Sequence, residues 1–495
     1  MLKLDVSSSL RRGGIGVAFA VTLLSPLSEA VAQQARSGPA PVEIVRRWNQ
    51  IAIDASGLDH TPLAPGETGR VPGEQPGPGR SSRALAVVHV AIFEVVNAIA
   101  GAPYRSTLSP RPAALGPVSR DAAVAVTAHD TLNAMFPSQS ERFAAFLAED
   151  LRRVGVTRDG SRPRGMLLGR RVAQRVLATR AGDASDYVEP RVGIEFITSD
   201  QPGWWRQDPI SRIPLALGAK WGDVTPFVLA SGDQFRSPPP PDMTSDAYTE
   251  AYAEVKALGG DGIVTPTLRT ADQTHIGIFW AYDGTPSLCA PPRLYNQVTV
   301  QIANQRRTGV VELARLLALV NVAMADAGIA IWDSKFHHQF WRPVTGIREA
   351  DPGTGPTGLG DGNPDTVGDP TYSPLGAPAS NSSSPNFTPP FPAYPSGHAG
   401  FGGALFQILR RFYGTDTLPF TFVSDEFNGV TVGNDGRVRP LLPRSYQSLS
   451  QAEEENGQSR IYLGIHWAFD KTEGIAQGRE VADYVYDHAF QPRRR

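Results

Sequence analysis

The sequence predicts an all-α protein of two helical bundles. Apolar residues recur at three- and four-residue spacing over six long segments, strand-like alternation is scarce, and two proline- and glycine-rich stretches interrupt the pattern. The six helical segments are 41–55, 81–100, 118–136, 139–154, 165–180 and 308–335, all rich in Ala, Leu and Val. The first interruption, Ser237-Pro238-Pro239-Pro240-Pro241, reads as a linker, because proline runs resist helix and stay extended. It divides the chain into an N-terminal bundle at 33–236 and a C-terminal bundle at 242–495 that carries the chemistry. The second interruption, 351–394, is dense in Gly, Pro, Ser, Asn and Asp and too long for a simple connection. It leads directly into Tyr394-Pro395-Ser396-Gly397-His398, so an ordered loop around the mouth of a site is expected.

The N-terminus reads as an address. Lys3, Arg11 and Arg12 precede an apolar run at 14–24, and Ala30-Val31-Ala32 before Gln33 has the small-x-small form that signal peptidase requires. A signal peptide at 1–32, cleaved after Ala32, is expected to export the protein to the periplasm or the exterior. The Arg11-Arg12 pair leaves both general secretion and twin-arginine export open. Elsewhere the most apolar stretch, 310–331, contains Glu312, Arg315, Asn321 and Asp326, so no membrane span is expected once the leader is removed.

Charged residues make up 19% of the 495-residue chain and the formal net charge is −2, which excludes a basic surface for nucleic acid or acidic membrane. Any anion must be held by a local cluster of cations. Cys289 is the sole cysteine, excluding an internal disulfide and any cysteine-built zinc or iron–sulfur centre.

Three separated segments supply such a cluster. In 335–343, Lys335 and Arg342 stand seven residues apart, close to two helical turns, so a continuous helix would point both to one side. Lysine brings a compact charge and arginine a planar fork of donors, suited to different oxygens of one anion. In the second segment, Pro395-Ser396-Gly397-His398 runs into the apolar 399–406, a loop-to-helix junction offering a hydroxyl, free N–H groups and the positive end of a helix dipole. The third, 459–470, adds Arg460, His466 and, four residues on, Asp470. Asp470 is placed to take the Nδ1 proton of His466, leaving Nε2 as a lone-pair donor to a metal or phosphorus centre. His337 and His338, between Lys335 and Arg342, read as structural, and His89 as a satisfied core histidine.

Lys335, Arg342, Ser396-Gly397-His398 and Arg460-x5-His466, in this order, resemble the motif set of the type 2 phosphatidic acid phosphatase and vanadium haloperoxidase superfamily. The wording of 279–284, 291–297, 332–343, 389–413 and 459–470 is most similar to the fungal-type vanadium chloroperoxidases and covers most of the chain after Thr270. The resemblance implies one vanadate per chain as cofactor, with hydrogen peroxide and halide as substrates and small organic acceptors for the hypohalous product. His466 would ligate vanadium axially, while Lys335, Arg342, Ser396, the Gly397 N–H and Arg460 would bond the vanadate oxygens. His398 would be the acid–base group opposite. Trp332 and Phe391 match the aromatic positions bordering the halide, and Asp283 matches the acidic partner of Arg460. In such a site vanadium keeps its highest oxidation state and acts as a Lewis acid toward peroxide. Phe391, where bromoperoxidases carry histidine, suggests chloride as well as bromide.

Two alternatives stand beside this. An acid phosphatase of the same superfamily would use the same cluster, with His466 attacking phosphorus to form a phosphohistidine and His398 protonating the leaving alcohol. The anion motifs do not separate the two; the aromatic surroundings of Trp332 and Phe391 favour the peroxidase. A non-catalytic exported oxyanion-binding protein is the alternative of another class, but pure anion capture has no need of the two histidines.

Overall fold

The computed structural model describes residues 43–493. The expected signal peptide at 1–32 and the start of the first expected bundle lie outside the described residues. Helices dominate, as the periodicity predicts. The first half holds α1 (Ile44–Asp59), α2 (Gly77–Ile99), α3 (Arg120–Met135), α4 (Ser140–Val154) and α5 (Ser161–Thr179). After a largely irregular stretch come α6 (Asp246–Leu258), α7 (Ala271–Phe279), α8 (Pro291–Gln305), α9 (Val310–His338), α10 (Pro343–Arg348), α11 (Gly397–Tyr413), α12 (Leu449–Tyr462) and α13 (Ala468–His488). The regular strands among the described residues are one antiparallel pair, β1 (Phe420–Phe422) and β2 (Arg444–Tyr446).

Helix starts follow local chemistry. Ser119 caps α3 by accepting the Ala122 N–H, Thr270 and Gln273 form a reciprocal capping box on α7, and Pro291-Pro292 open α8, where their missing N–H groups cost nothing.

The axis of the molecule is α9, which packs against α2, α11 and α13. Its residues from Leu313 to Trp332 are buried without interruption. By length and hydropathy both α2 and α9 would qualify as membrane spans, contrary to the sequence expectation, yet 94% and 100% of their apolar windows lie inside the protein. A helix surrounded by other helices needs no polar face, which is why its composition imitates a span. The apolar core runs without a break from α1–α5 into α9, α11 and α13, and residues from Ile44 onward form one compact unit. The boundary expected between 33–236 and 242–495 therefore has no counterpart as a gap in the core. Nor does the proline stretch hang free: the Ser237 N–H donates to Ser334 Oγ on α9, and the Tyr394 hydroxyl donates to the Pro238 carbonyl.

Polar residues inside this core are fastened one by one. Asn321 of α9 and Asn296 of α8 exchange amide hydrogen bonds at 2.9 Å each. Asp326 of α9 accepts the backbone N–H groups of Phe227, Val228 and Leu229 at 2.6, 2.8 and 3.0 Å, pinning the irregular stretch before α6 onto the central helix. His89 departs from expectation. It is fully buried, but neither ring nitrogen has a partner among the described residues, and burial pushes its pKa down to about 3.

Asp326→Ala should strip one buried and two partly buried N–H donors of their acceptor. At about 1–3 kcal/mol for the buried Leu229 N–H and less for the two that water can reach, the loss is roughly 2 kcal/mol or greater, read as a lowered urea midpoint. A loss under about 1 kcal/mol would mean that water or a shifted backbone replaces the carboxylate.

Candidate oxyanion site

The three motif segments meet. Lys335 near the end of α9, Arg342 before α10, Ser396 and His398 at the start of α11, Arg460 in the last turn of α12 and His466 before α13 are all buried. His398, Arg460, His466, Gly397, Trp332, Phe391 and Asp283 line one cavity of about 300 Å³.

Lys335 and Arg342 converge by a different route from the one their spacing suggested. The helix stops at His338 because Gln339 adopts a left-handed conformation with φ 48°, and Arg342 becomes the residue preceding α10. The chain doubles back instead of continuing for two turns. His337 is exposed, and His338 faces the Ser237 carbonyl at 3.0 Å, away from the cluster.

Backbone carbonyls hold the cations. Lys335 Nζ donates to Pro392 and Ala393 oxygens at 2.8 and 2.9 Å. Arg342 donates from Nε to the Phe391 oxygen at 2.9 Å and from Nη1 to the Ile465 oxygen at 2.8 Å. The end of the long loop thus forms part of the site itself. Burial, reinforced by the neighbouring cations, pulls the Lys335 ammonium well below its ordinary range and the Arg342 guanidinium down to about 9. An oxyanion among them would reverse that electrostatic pressure.

Arg460 is placed differently. Its Nη2 donates to Asp283 Oδ1 at 2.6 Å, while Nε and Nη1 are buried with no partner among the described residues. Buried charged donors left free beside a cavity are costly unless an anion takes them, so this donor set fits an oxyanion.

The histidines have assigned protons. Arg342 Nη1, a donor, lies 2.9 Å from His466 Nε2, which must therefore carry the lone pair. His466 Nδ1–H then donates to Asp470 Oδ2 at 2.8 Å. The pair forms across the helix start rather than along a helix, since His466 precedes α13 and Asp470 sits in its first turn, also accepting the Trp467 N–H at 3.0 Å. Burial raises the Asp470 carboxyl to about 7. His398 donates from Nε2 to the Ala281 carbonyl, 3.8 Å from Asp283 Oδ1. Its Nδ1 is left as the proton-accepting atom, and burial with Arg460 nearby depresses its pKa to about 3.

Ser396 caps α11, and its N–H donates to the Asp470 carbonyl at 2.9 Å, joining the Ser-Gly-His junction to the start of α13. This needs α11 and α13 in backbone contact. A Cβ on Gly478 would lie 2.1 Å from the Gly400 oxygen, and one on Gly474 would lie 2.6 Å from the Ser396 oxygen. Trp332 and Phe391 stand 5.0 Å apart between ring centroids, and Lys335 Nζ sits 5.7 and 5.1 Å from the two rings.

Sequence reasoning missed Tyr295 and Asn456, which both donate to the His398 carbonyl at 2.9 Å and so fix that histidine's backbone. It also missed the carbonyls of 389–393, which no side-chain motif reveals. His60 lines the cavity too, with Nδ1 donating to the Ser56 oxygen and Nε2 accepting the Gly77 N–H.

The VCPO second helical-bundle domain matches residues 315–495. The vanadium chloroperoxidase of Curvularia inaequalis is 31% identical over 501 residues, covering 86% of this chain and 78% of its own. A bacterial vanadium-dependent iodoperoxidase of known structure superposes with a TM-score of 0.69 at 22% identity, covering 92% of this chain and all of its own. A bacterial vanadium-dependent chloroperoxidase, apo-type, gives 0.58 at 17% identity over 83% of this chain and 94% of its own. At these identities the structural likeness is one of fold.

If Asp470 sets the tautomer of His466, Asp470→Asn should weaken binding of a tetrahedral oxyanion, read by calorimetry, by roughly 10- to 100-fold. An affinity within about twofold of the unaltered protein would show that the imidazole is oriented by other contacts.

Proposed function

The chain belongs to the vanadium chloroperoxidase family of vanadate-dependent haloperoxidases, and on that premise we propose that it oxidises bromide and chloride with hydrogen peroxide, using one vanadate held by Lys335, Arg342, Ser396, the Gly397 N–H, Arg460 and His466. The overall reaction is X⁻ + H₂O₂ + H⁺ → HOX + H₂O. The observation that carries the residue assignment is Arg460, whose Nε and Nη1 have no partner among the described residues, lining the same cavity as a histidine whose lone pair is on Nε2. One group demands an anion and the other offers a donor atom to an electrophilic centre. Bound there, vanadate supplies Lewis acidity that activates peroxide without a change of oxidation state.

The chain's own residues supply the rest. Three buried cations offset the charge of the oxyanion where water is partly excluded. Lys335 Nζ, held at the end of α9 by two carbonyls, lies within 5.7 Å of both aromatic ring centres, while Arg342 lies over Phe391 at 5.0 Å. His398 is neutral, with Nε2–H committed to Ala281, so Nδ1 is the atom that takes a proton from peroxide and returns it to the leaving water. Trp332 and Phe391 close the side of the cavity next to Lys335, surroundings that suit a soft, weakly hydrated halide and do little for a phosphate ester. Iodide oxidation is compatible with the iodoperoxidase likeness, and Phe391 supports extending the range to chloride. Export through residues 1–32 belongs to the same proposal and rests on the sequence.

The purified protein, with and without added vanadate, should be assayed for peroxide-dependent halogenation with bromide and with chloride, beside hydrolysis of a simple phosphate monoester. Vanadate-dependent halogenation and negligible hydrolysis are expected, and His466→Ala should abolish turnover. Phosphatase activity without halogenation would transfer the site to the phosphohistidine chemistry. A His466→Ala protein that merely loses part of its oxyanion affinity, from a parent with neither activity, would mark a binding protein. Bromide turnover without chloride turnover at acidic pH would overturn only the chloride assignment.

A further inference from the structure

The cavity is larger and more apolar than halide oxidation needs. Its volume of about 300 Å³ corresponds to roughly ten water molecules at about 30 Å³ each, of which vanadate, one halide and one peroxide together would displace about half. The polar part of its lining, the floor, comprises Asp283, His398, Arg460 and His466. The apolar part includes a wall of Ile213, Leu215 and Leu217 from one segment and Phe387, Pro389 and Pro390 from the long loop. Hydrogen peroxide gains nothing from such a wall, since it would give up hydrogen bonds to water and find none in return.

The wall is fixed in place. The Leu217 N–H donates to the Pro390 oxygen at 2.9 Å and the Ala216 N–H to the Pro190 oxygen at 2.8 Å. The Gly218 N–H donates to Glu189 Oε2 at 2.7 Å, and the Trp332 indole N–H donates to the Leu217 oxygen at 3.0 Å. Gly218 has φ +81°, and a Cβ there would lie 2.2 Å from the Trp332 ring, so glycine is what lets this segment close onto the site. Residues 213–217 make none of the bonds that hold the cation cluster. A rigid apolar surface facing convergent polar groups is the usual form of a small-molecule site.

We propose that wall and floor together bind a neutral, single-ring organic molecule, of the class of alkylphenols, and that this molecule receives the halogen inside the cavity. This rests on the haloperoxidase reading. Halide gives two electrons to peroxide, yielding HOX and water. A ring carbon then attacks the halogen: the C–X bond forms, the X–O bond breaks, and the ring proton joins the departing hydroxide as water. The sum is RH + X⁻ + H₂O₂ + H⁺ → RX + 2 H₂O. The apolar wall sets the choice of acceptor, because a charged ring would lose its hydration there without a partner.

The vanadate-loaded protein should be given bromide, peroxide and an equimolar mixture of thymol and phenolsulfonate, and the ratio of brominated products compared with that from reagent hypobromite. The enzyme should favour thymol by at least about tenfold over the reagent, the discrimination an apolar pocket commonly gives. Thymol should also bind saturably to the loaded protein without peroxide, read by calorimetry. Leu215→Glu should return the ratio to the reagent's value, and Leu215→Ala should move it part of the way. The ratio is internal to each reaction, so a variant with lowered turnover still reports. A reagent-like ratio from the unaltered enzyme overturns the proposal whether or not thymol binds. Saturable thymol binding without any bromide oxidation overturns the haloperoxidase reading and the halogen transfer, and leaves the organic site standing.

Discussion

Three buried cations, Arg460 lining the cavity and Lys335 and Arg342 in contact with residues that line it, are the constraint from which the rest of this structure follows. Charge taken out of water needs compensation, and side-chain carboxylates supply only part of it: Asp283 bonds Arg460, and Asp470 serves His466. The remainder comes from carbonyl oxygens at Phe391, Pro392, Ala393 and Ile465. Carbonyls can turn inward only where the backbone is not already committed to a helix, so an irregular segment must enter the core. The long stretch between α10 and α11 and the turn between α12 and α13 meet that need. The dense Gly and Pro content of the long stretch is the sequence-level trace of a backbone whose hydrogen bonds are spent on side chains.

The helices answer a second demand, that groups distant in the chain be held at fixed separations. Contact between α11 and α13, made possible by Gly400 facing Gly478 and Ser396 facing Gly474, places the Ser-Gly-His junction against Asp470 and hence beside His466. Tyr295 of α8 and Asn456 of α12 clamp the His398 carbonyl from the other side. Buried α9 carries both Lys335 and Asp326, so the segment it pins at 227–229 and the cation it presents are parts of one rigid rod. Precision at the site is a consequence of core packing, with loops contributing acceptors and helices contributing placement.

Much of this was legible in the sequence, and the failures share a cause. Helical periodicity marked α1 to α5 and α9 to within a few residues, because an amphipathic or buried helix writes its environment into its spacing. The pairing of His466 with Asp470 and the approach of Lys335, Arg342, Ser396 and Arg460 were readable from residue type and order. What misled was geometry set by single backbone conformations. Gln339 in the left-handed region ends α9 early and sends Arg342 back by a fold in the chain, which no helical phase angle could anticipate. The apolar composition of α9 would pass for a membrane span by length and hydropathy, and its polar residues Glu312, Arg315, Asn321 and Asp326 are what the sequence reading set against that. Ile213, Leu215 and Leu217 look like ordinary apolar residues of an irregular stretch until Gly218 brings them over Trp332.

Arg460 shows why the donors of this site are not interchangeable. Its guanidinium divides its work, with Nη2 bound to Asp283 and with Nε and Nη1 lacking a partner among the described residues. A lysine in its place would carry one nitrogen and would have to choose between the carboxylate that orients it and the anion it serves. Lys335 faces the opposite case: two carbonyls already fix its ammonium, and one proton remains to point elsewhere. Each cation satisfies the protein first, and only the donors left over define what the cavity can hold.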